Sequence, residues 1–137
     1  MSRKVKIVEV GARDGLQNEK LPISIADRWK LIKALAEAGL IHIEVGAFVS
    51  PKWVPQMTGT DKLVQKALAF KGPQKFSVLV PNQRGMEDAI RSGIKEVAIF
   101  GACTESFSHK NINCSIAESY ERFSKVIQLA KRHKIKV

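Results

Sequence analysis

An arginine and an aspartate stand side by side at Arg13 and Asp14, inside the stretch Gly11-Ala12-Arg13-Asp14-Gly15-Leu16-Gln17-Asn18-Glu19-Lys20. Ten residues there hold two glycines, a guanidinium, two carboxylates and two amides, a segment too polar and too long for a mere connector. Asp14 offers hard oxygen atoms suited to Mg²⁺ or Mn²⁺, and Arg13 a permanent cation for an oxyanion or a carboxylate. The dipeptide alone leaves two readings open, a solvated surface turn or a pair aimed at one substrate. Glu44 favours the second. It ends the apolar run Leu40–Val45, where a carboxylate costs desolvation unless it is paired, and Arg13 at the end of the preceding strand is a neighbour able to pair with it.

Other chemistries are poorly supported. Gly11 and Gly15 are followed by no Lys-Ser/Thr, and no Gly-x-Gly-x-x-Gly occurs, so phosphate-cradling nucleotide loops are absent. His42, His109 and His133 are never two to five residues apart, which rules out a histidine metal motif. His42 alternates with Ile41 and Ile43 and reads as a satisfied core histidine, with Glu9 of the neighbouring strand as a structural contact. Cys103 and Cys114 form no Cys-x-x-Cys pair and read as small hydrophobes in a reducing compartment.

The elements that must position Arg13, Asp14 and Glu44 are legible from periodicity. β-branched apolar runs recur at Lys4–Val10, Leu40–Val45, Lys75–Val80, Glu96–Phe100 and an unfinished Lys134–Val137. A helix opens at Ser24, with Asp27 completing a capping-box-like pair, and runs along Trp29, Ile32, Leu35 and Ala36 to Gly39. A second opens at the capping box Ser115-Ile116-Ala117-Glu118 and continues through Tyr120, Phe123, Ile127 and Ala130. Shorter helices are expected at Asp61–Ala69 and at Arg84–Arg91, the latter stopped by Gly93. Strand and helix therefore alternate four times before a fifth strand begins, the signature of a parallel sheet with right-handed crossovers.

A small open doubly wound sheet and part of a (β/α)₈ barrel both fit this order. A whole barrel needs on the order of 200 to 250 residues. The 137 residues here supply about half of one, and the chain reads as the N-terminal half of a single α/β domain, a (β/α)₈ TIM barrel with four βα units and the start of a fifth strand. In either architecture the functional groups gather beyond the carboxyl ends of the strands. The loops to search are Gly11 to Lys20, Glu44 to Met57 with its stiff aromatic and proline wall, Pro81-Asn82-Gln83, and Thr104 to Asn113.

Composition narrows the partners. Hydrophobic residues make up 45% and charged residues 26%, which excludes disorder and disulfide-held miniproteins. The longest apolar run, Val97 to Cys103, is far short of the roughly 18 residues of a membrane span. No targeting segment precedes the first strand, so a cytoplasmic location is the expectation. Lysine and arginine total 23 against 13 acidic residues, a net charge of +10, yet the basic residues are scattered and no stacking aromatics interleave them. That distribution speaks against nucleic acid and for an anionic small molecule.

Three motifs then carry a resemblance. Val8-Glu9-Val10-Gly11-Ala12-Arg13-Asp14-Gly15-Leu16-Gln17-Asn18-Glu19, Phe48-Val49-Ser50-Pro51-Lys52-Trp53-Val54-Pro55-Gln56-Met57 and Lys110-Asn111-Ile112-Asn113-Cys114-Ser115 closely resemble the 3-hydroxy-3-methylglutaryl-CoA lyases, within the metal-dependent Claisen-type TIM barrels. The match runs from about Val5 to Val137 and covers the N-terminal half of that family's domain.

The resemblance implies a divalent cation, Mg²⁺ or Mn²⁺, an acyl-CoA thioester as small-molecule substrate, and retro-Claisen cleavage to acetyl-CoA and acetoacetate. By motif, Arg13 holds the thioester carbonyl where enolate charge develops, Asp14 is a metal ligand, and Glu44 is a catalytic acid group that orients Arg13 or the metal's waters. Gln17 matches a substrate-binding loop residue near the acyl portion, and Lys20 or Lys110 are candidates for the CoA phosphates. The family's remaining ligands, a His-x-His pair and an asparagine, and a cysteine on a glycine-rich loop, lie in the second half of the barrel. Ala47 stands where some relatives carry a hydroxyl. The chain alone is thus expected to be inactive, and the full-length protein to be a homo-oligomer without nucleic-acid or membrane partners. The alternatives are a related 2-oxo acid aldolase or synthase, against which the Gly15–Glu19 and Ser50–Trp53 motifs argue, and a non-catalytic CoA-binding half-barrel.

Overall fold

The computed structural model describes residues 4–137. Its elements follow in the order β1 (Val8–Glu9), α1 (Ile25–Glu37), β2 (His42–Ala47), α2 (Thr60–Ala69), β3 (Lys75–Leu79), α3 (Gln83–Ser92), β4 (Val97–Ala98), α4 (Glu105–Ile112) and α5 (Ile116–Arg132). A π-helical turn at Gly11–Gly15 follows β1, and a 3₁₀ turn at Pro55–Met57 precedes α2. The strands form one parallel sheet in sequential order, β1-β2-β3-β4. The expected fifth strand is present as a parallel bridge between Glu96 and Lys136, closed by Val97 N–H to the Lys136 carbonyl at 2.8 Å and Lys136 N–H to the Lys95 carbonyl at 2.9 Å.

Local chemistry accounts for the helix boundaries. Ser24 accepts from the Asp27 N–H to start α1, and Ser115 and Glu118 make the reciprocal bonds of a full capping box to start α5. Gly93 ends α3 at φ 81°, a left-handed conformation open to glycine at little cost. One segment differs from expectation. Thr104–Asn113, read as a loop, contains the two-turn helix α4, capped by the Thr104 hydroxyl and stopped by Asn113 at φ 51°. Polar and weakly periodic, it carries its signal in the caps rather than in an apolar stripe.

The outer strands are also shorter than their apolar runs. Lys4–Val10 yields only Val8–Glu9, and Glu96–Phe100 only Val97–Ala98. β1 has a strand neighbour on one side only, so most of its run has no ladder partner. The register corrects the Glu9–His42 pairing as well. Val8 lies opposite His42 and Glu9 opposite Ile43, which places Glu9 on the other face of the sheet from His42. His42 is half-buried on the open face rather than in the packed core.

Helices cover one face of the sheet. Ile43 and Val45 of β2, Val78 of β3 and Val97 of β4 pack there against Ile32 and Ala36 of α1, Leu63 and Val64 of α2, Met86 and Ala89 of α3, and Val126 and Ala130 of α5. Trp29, Phe70 and Phe76 extend this layer with edge-to-face contacts at 6.1 and 6.0 Å. The opposite face, which would line a barrel, carries His42, Glu44, Lys75, Ser77, Leu79, Glu96 and Ala98, as strand alternation and register require.

At the amino ends of the strands Glu96 accepts from Lys6 at 3.1 Å and Lys136 at 3.4 Å. Burial favours the neutral acid, but the hydrogen bonds and charges of the two lysines outweigh it and hold the carboxyl below its ordinary value of 4.5. A carboxyl lowered on folding stabilises the protein above its unfolded pKa, and that contribution is lost as pH falls through the folded value. Glu96→Gln therefore flattens the acid limb. Between about pH 5 and pH 3 the wild-type denaturation midpoint falls more steeply than that of the variant.

Candidate active site

The site is built at the carboxyl end of β1 and β2. β1 breaks into the tight turn Gly11–Gly15, in which the Val10 carbonyl accepts from the N–H groups of both Arg13 and Asp14. Glu9 anchors its entrance: its Oε1 accepts the Gly11 N–H at 2.6 Å, and a Cβ on residue 11 would lie 2.7 Å from that oxygen. A side chain at residue 11 would displace the Glu9 carboxylate from this bond. Ala12 is fully buried against β2 and α1, and this plug turns the next side chain toward the sheet's open face.

Arg13 Nε donates to Glu44 Oε1 at 2.5 Å, and Arg13 Nη1 donates to Asp14 Oδ1 at 2.8 Å. Glu44 is 4% exposed, while the Asp14 side chain is 58% exposed. One guanidinium therefore bridges a buried and an open carboxylate. Among the described residues its Nη2 has no protein acceptor and Asp14 Oδ2 no donor, so one N–H fork and one carboxylate oxygen remain available at the mouth. Gln17, one turn beyond Arg13, is half-buried, and its side chain makes no hydrogen bond among the described residues. Among the described residues no three His, Cys, Asp or Glu side chains lie together in a metal-binding group. Asp14 fits one position of an oxygen-ligated cation shell and cannot complete it.

Other residues shape the mouth without having been singled out by residue type. β2 shifts register between Glu44, opposite Ser77, and Gly46, opposite Val78, a bulge that re-aims the chain just beyond Glu44. Gly46 lets α2 close on it: an added Cβ would sit 2.6 Å from Thr60 Oγ1, which donates toward the Ala47 and Met57 carbonyls at 3.1 and 2.8 Å. Met57, Ala47 and Leu79 form a small apolar cluster under Val49 and Val54. Behind this wall Arg28, 1% exposed, donates to the Thr58 carbonyl at 2.9 Å, and its Nε has no partner. Burial draws the Arg28 guanidinium pKa below its ordinary value. Gln56 reaches across to the Glu19 carbonyl at 2.9 Å and ties the second loop to the first. The only sequence sign of Arg28 was a cation on the apolar side of an amphipathic helix.

Lys20 is exposed, and Lys110 and Asn111 lie in the last turn of α4. Arg122 of α5 donates to the Ile112 carbonyl at 2.9 Å and fixes that turn, with Cys114 buried beside it. A groove of about 1120 Å³ lies on the far side of the wall, lined by Ser50, Lys52, Asp61 and Arg84 among others, and contains none of Arg13, Asp14 or Glu44.

A parallel sheet whose loop residues meet at the carboxyl ends of its strands defines the half-barrel class, and comparison with known proteins agrees. The chain belongs to the HMGL-like family, whose model matches residues 4–137. It is 51% identical over its whole length to a 3-hydroxy-3-isohexenylglutaryl-CoA/hydroxy-methylglutaryl-CoA lyase of Pseudomonas aeruginosa, covering 45% of that protein. It is 50% identical to the mitochondrial hydroxymethylglutaryl-CoA lyase of Homo sapiens, covering 42% of it. The crystal structure of hydroxymethylglutaryl-CoA lyase from Pseudomonas aeruginosa superposes with a TM-score of 0.89 at 52% identity, over 96% of this chain and 44% of that one. The chain thus spans less than half the length of the relatives it matches, and its fold is the first part of their TIM barrel. No helix among the described residues is long and apolar enough to cross a membrane.

The Arg13–Glu44 pair yields a stability prediction. Arg13→Met strands a buried carboxylate and costs about 3 kcal/mol, the low end for a broken buried pair because the Arg13 side chain keeps 15% exposure. Replacing both partners with apolar residues, Arg13→Met with Glu44→Leu, recovers most of that loss. Urea denaturation of the wild type and the two variants checks the order.

Proposed function

We propose that this chain supplies the first half of the active site of a hydroxymethylglutaryl-CoA lyase, a carbon–carbon lyase that converts its acyl-CoA thioester into acetyl-CoA and acetoacetate. The supporting observation is the guanidinium clamped between Glu44 and Asp14, with Nη2 left without an acceptor among the described residues. In a retro-Claisen cleavage the hydroxyl proton of the substrate leaves, its oxygen becomes the new ketone of acetoacetate, and the electrons of the breaking carbon–carbon bond collect on the thioester as an enolate. Arg13 is placed to donate to that thioester oxygen as the charge develops. The buried Glu44 holds Nε so that the guanidinium is already oriented when the reaction begins.

Asp14 is proposed as one ligand of a divalent cation, Mg²⁺ or Mn²⁺, whose contribution when bound is to lower the pKa of a coordinated hydroxyl. Gln17 is proposed to contact the acyl portion. The half-exposed face of the turn leaves room for both.

Two assays test this reading. Incubated with hydroxymethylglutaryl-CoA and either Mg²⁺ or Mn²⁺, the 137 residues alone release no acetoacetate, because a single carboxylate does not hold the cation. Joined to the remaining C-terminal part of the Pseudomonas aeruginosa relative, the chain gains metal-dependent turnover, and Arg13→Met lowers kcat by about 10²- to 10³-fold. Arg13→Met turnover within about threefold of wild type overturns the assignment.

A further inference from the structure

The first loop of the mouth is held in two different ways along its length. Its near part, which carries Arg13 and Asp14, is fixed from within: the Val10 carbonyl accepts their main-chain N–H groups at 3.0 and 2.6 Å, Ala12 is fully buried, and Glu44 holds the guanidinium. The far part, Gln17 to Lys20, has no such support, and none of its residues is buried. Asn18 N–H and Glu19 N–H donate only to the Gly15 and Leu16 carbonyls, each at 3.2 Å, and Asn18 Nδ2 reaches back to the Asp14 carbonyl at 2.8 Å. Among the described residues a single hydrogen bond joins residues 17–23 to another part of the chain. It runs from Gln56 Nε2 to the Glu19 carbonyl, at 2.9 Å.

Gln56 is a donor on a firm base. It stands in the 3₁₀ turn Pro55–Met57, where Met57 N–H donates to the Val54 carbonyl and Thr58 N–H to the Pro55 carbonyl, both at 3.1 Å. Met57 is 3% exposed, and the interior Arg28 and Thr60 side chains hold the carbonyls of Thr58 and Met57 at 2.9 and 2.8 Å. The side chain thus extends from a braced turn to a segment that has no brace of its own. We infer that Gln56 is a positioning residue for substrate binding, a latch that fastens the far part of the first loop to the wall and so presents Gln17 and Lys20 to the anionic thioester in one arrangement. The identity of that ligand rests on the lyase reading. Because Glu44, and not the latch, holds Arg13, binding and chemistry separate. With the latch released, the substrate has to order the loop as it binds, which weakens binding and leaves the bond-breaking step unchanged.

Two measurements test the latch. Gln56→Met keeps the length of the side chain and removes the donor. In ¹⁵N relaxation of this 137-residue chain it lowers the order parameters of the Gln17–Lys20 amides from about 0.85 to below about 0.6 and leaves those of Arg13 and Asp14 unchanged. In the chimera with the C-terminal part of the Pseudomonas aeruginosa relative, it raises the KM for hydroxymethylglutaryl-CoA about three- to tenfold and changes kcat by less than about twofold. A general loss of folded enzyme would instead appear in kcat. Gln56→Lys restores a donor to the Glu19 carbonyl and returns both readouts toward wild type. Unchanged order parameters, a kcat loss as large as the KM rise, or a Gln56→Lys variant no better than Gln56→Met overturns the inference. An unsubstituted chimera without turnover overturns the lyase reading instead, and the order parameters then decide whether Gln56 holds the loop.

Discussion

The geometry of the mouth depends on one ion pair. Glu44 lies within β2, almost wholly buried, and a carboxylate there is tolerable only because Arg13 Nε meets it at 2.5 Å. Much of the surrounding structure can be understood as what is required to bring Arg13 to that point. Glu9 and Gly11 begin the turn, Ala12 plugs it into the core, and β2 holds Glu44 opposite Ser77 just before the bulge that precedes Gly46. A buried carboxylate that constrains an arginine also removes most of the rotamer freedom the arginine would otherwise lose on binding an anion.

The two loops of the mouth behave as one unit. Gln56 bonds to the Glu19 carbonyl, the second loop is fastened from behind by Arg28 at Thr58, and Thr60 ties the start of α2 to the carbonyls of Ala47 and Met57. These contacts use polar groups against backbone, so the wall keeps its shape without a large apolar core of its own; its cluster is Ala47, Met57 and Leu79. Arg28 is the costly member, a guanidinium in the interior with one donor unsatisfied.

The alternation of strands and helices was legible because the helical stripes and their caps are strong: Ser24 and Ser115 mark α1 and α5 where the structure has them. Arg13 beside Glu44 was legible for a physical reason, since an acid at the end of an apolar strand demands a partner. What escaped was set by neighbours. α4 has no apolar stripe, and the length of β1 depends on pairing rather than on its own residues. Glu9 was recognised as unusual but matched to the wrong partner, because the register between β1 and β2 turns it away from His42 and toward its own Gly11. Arg28 gave no signal beyond its helix face, and its role depends on a loop thirty residues away.

The two tryptophans occupy different environments. Trp53 projects from the wall 87% exposed, whereas Trp29 is packed edge-on against Phe70 within the helical layer. Indole emission moves to shorter wavelength as the ring leaves water, so the protein carries two separable optical reporters. The red-shifted component senses changes around the Ser50–Val54 turn, and the blue-shifted one senses the integrity of the layer between α1 and the sheet.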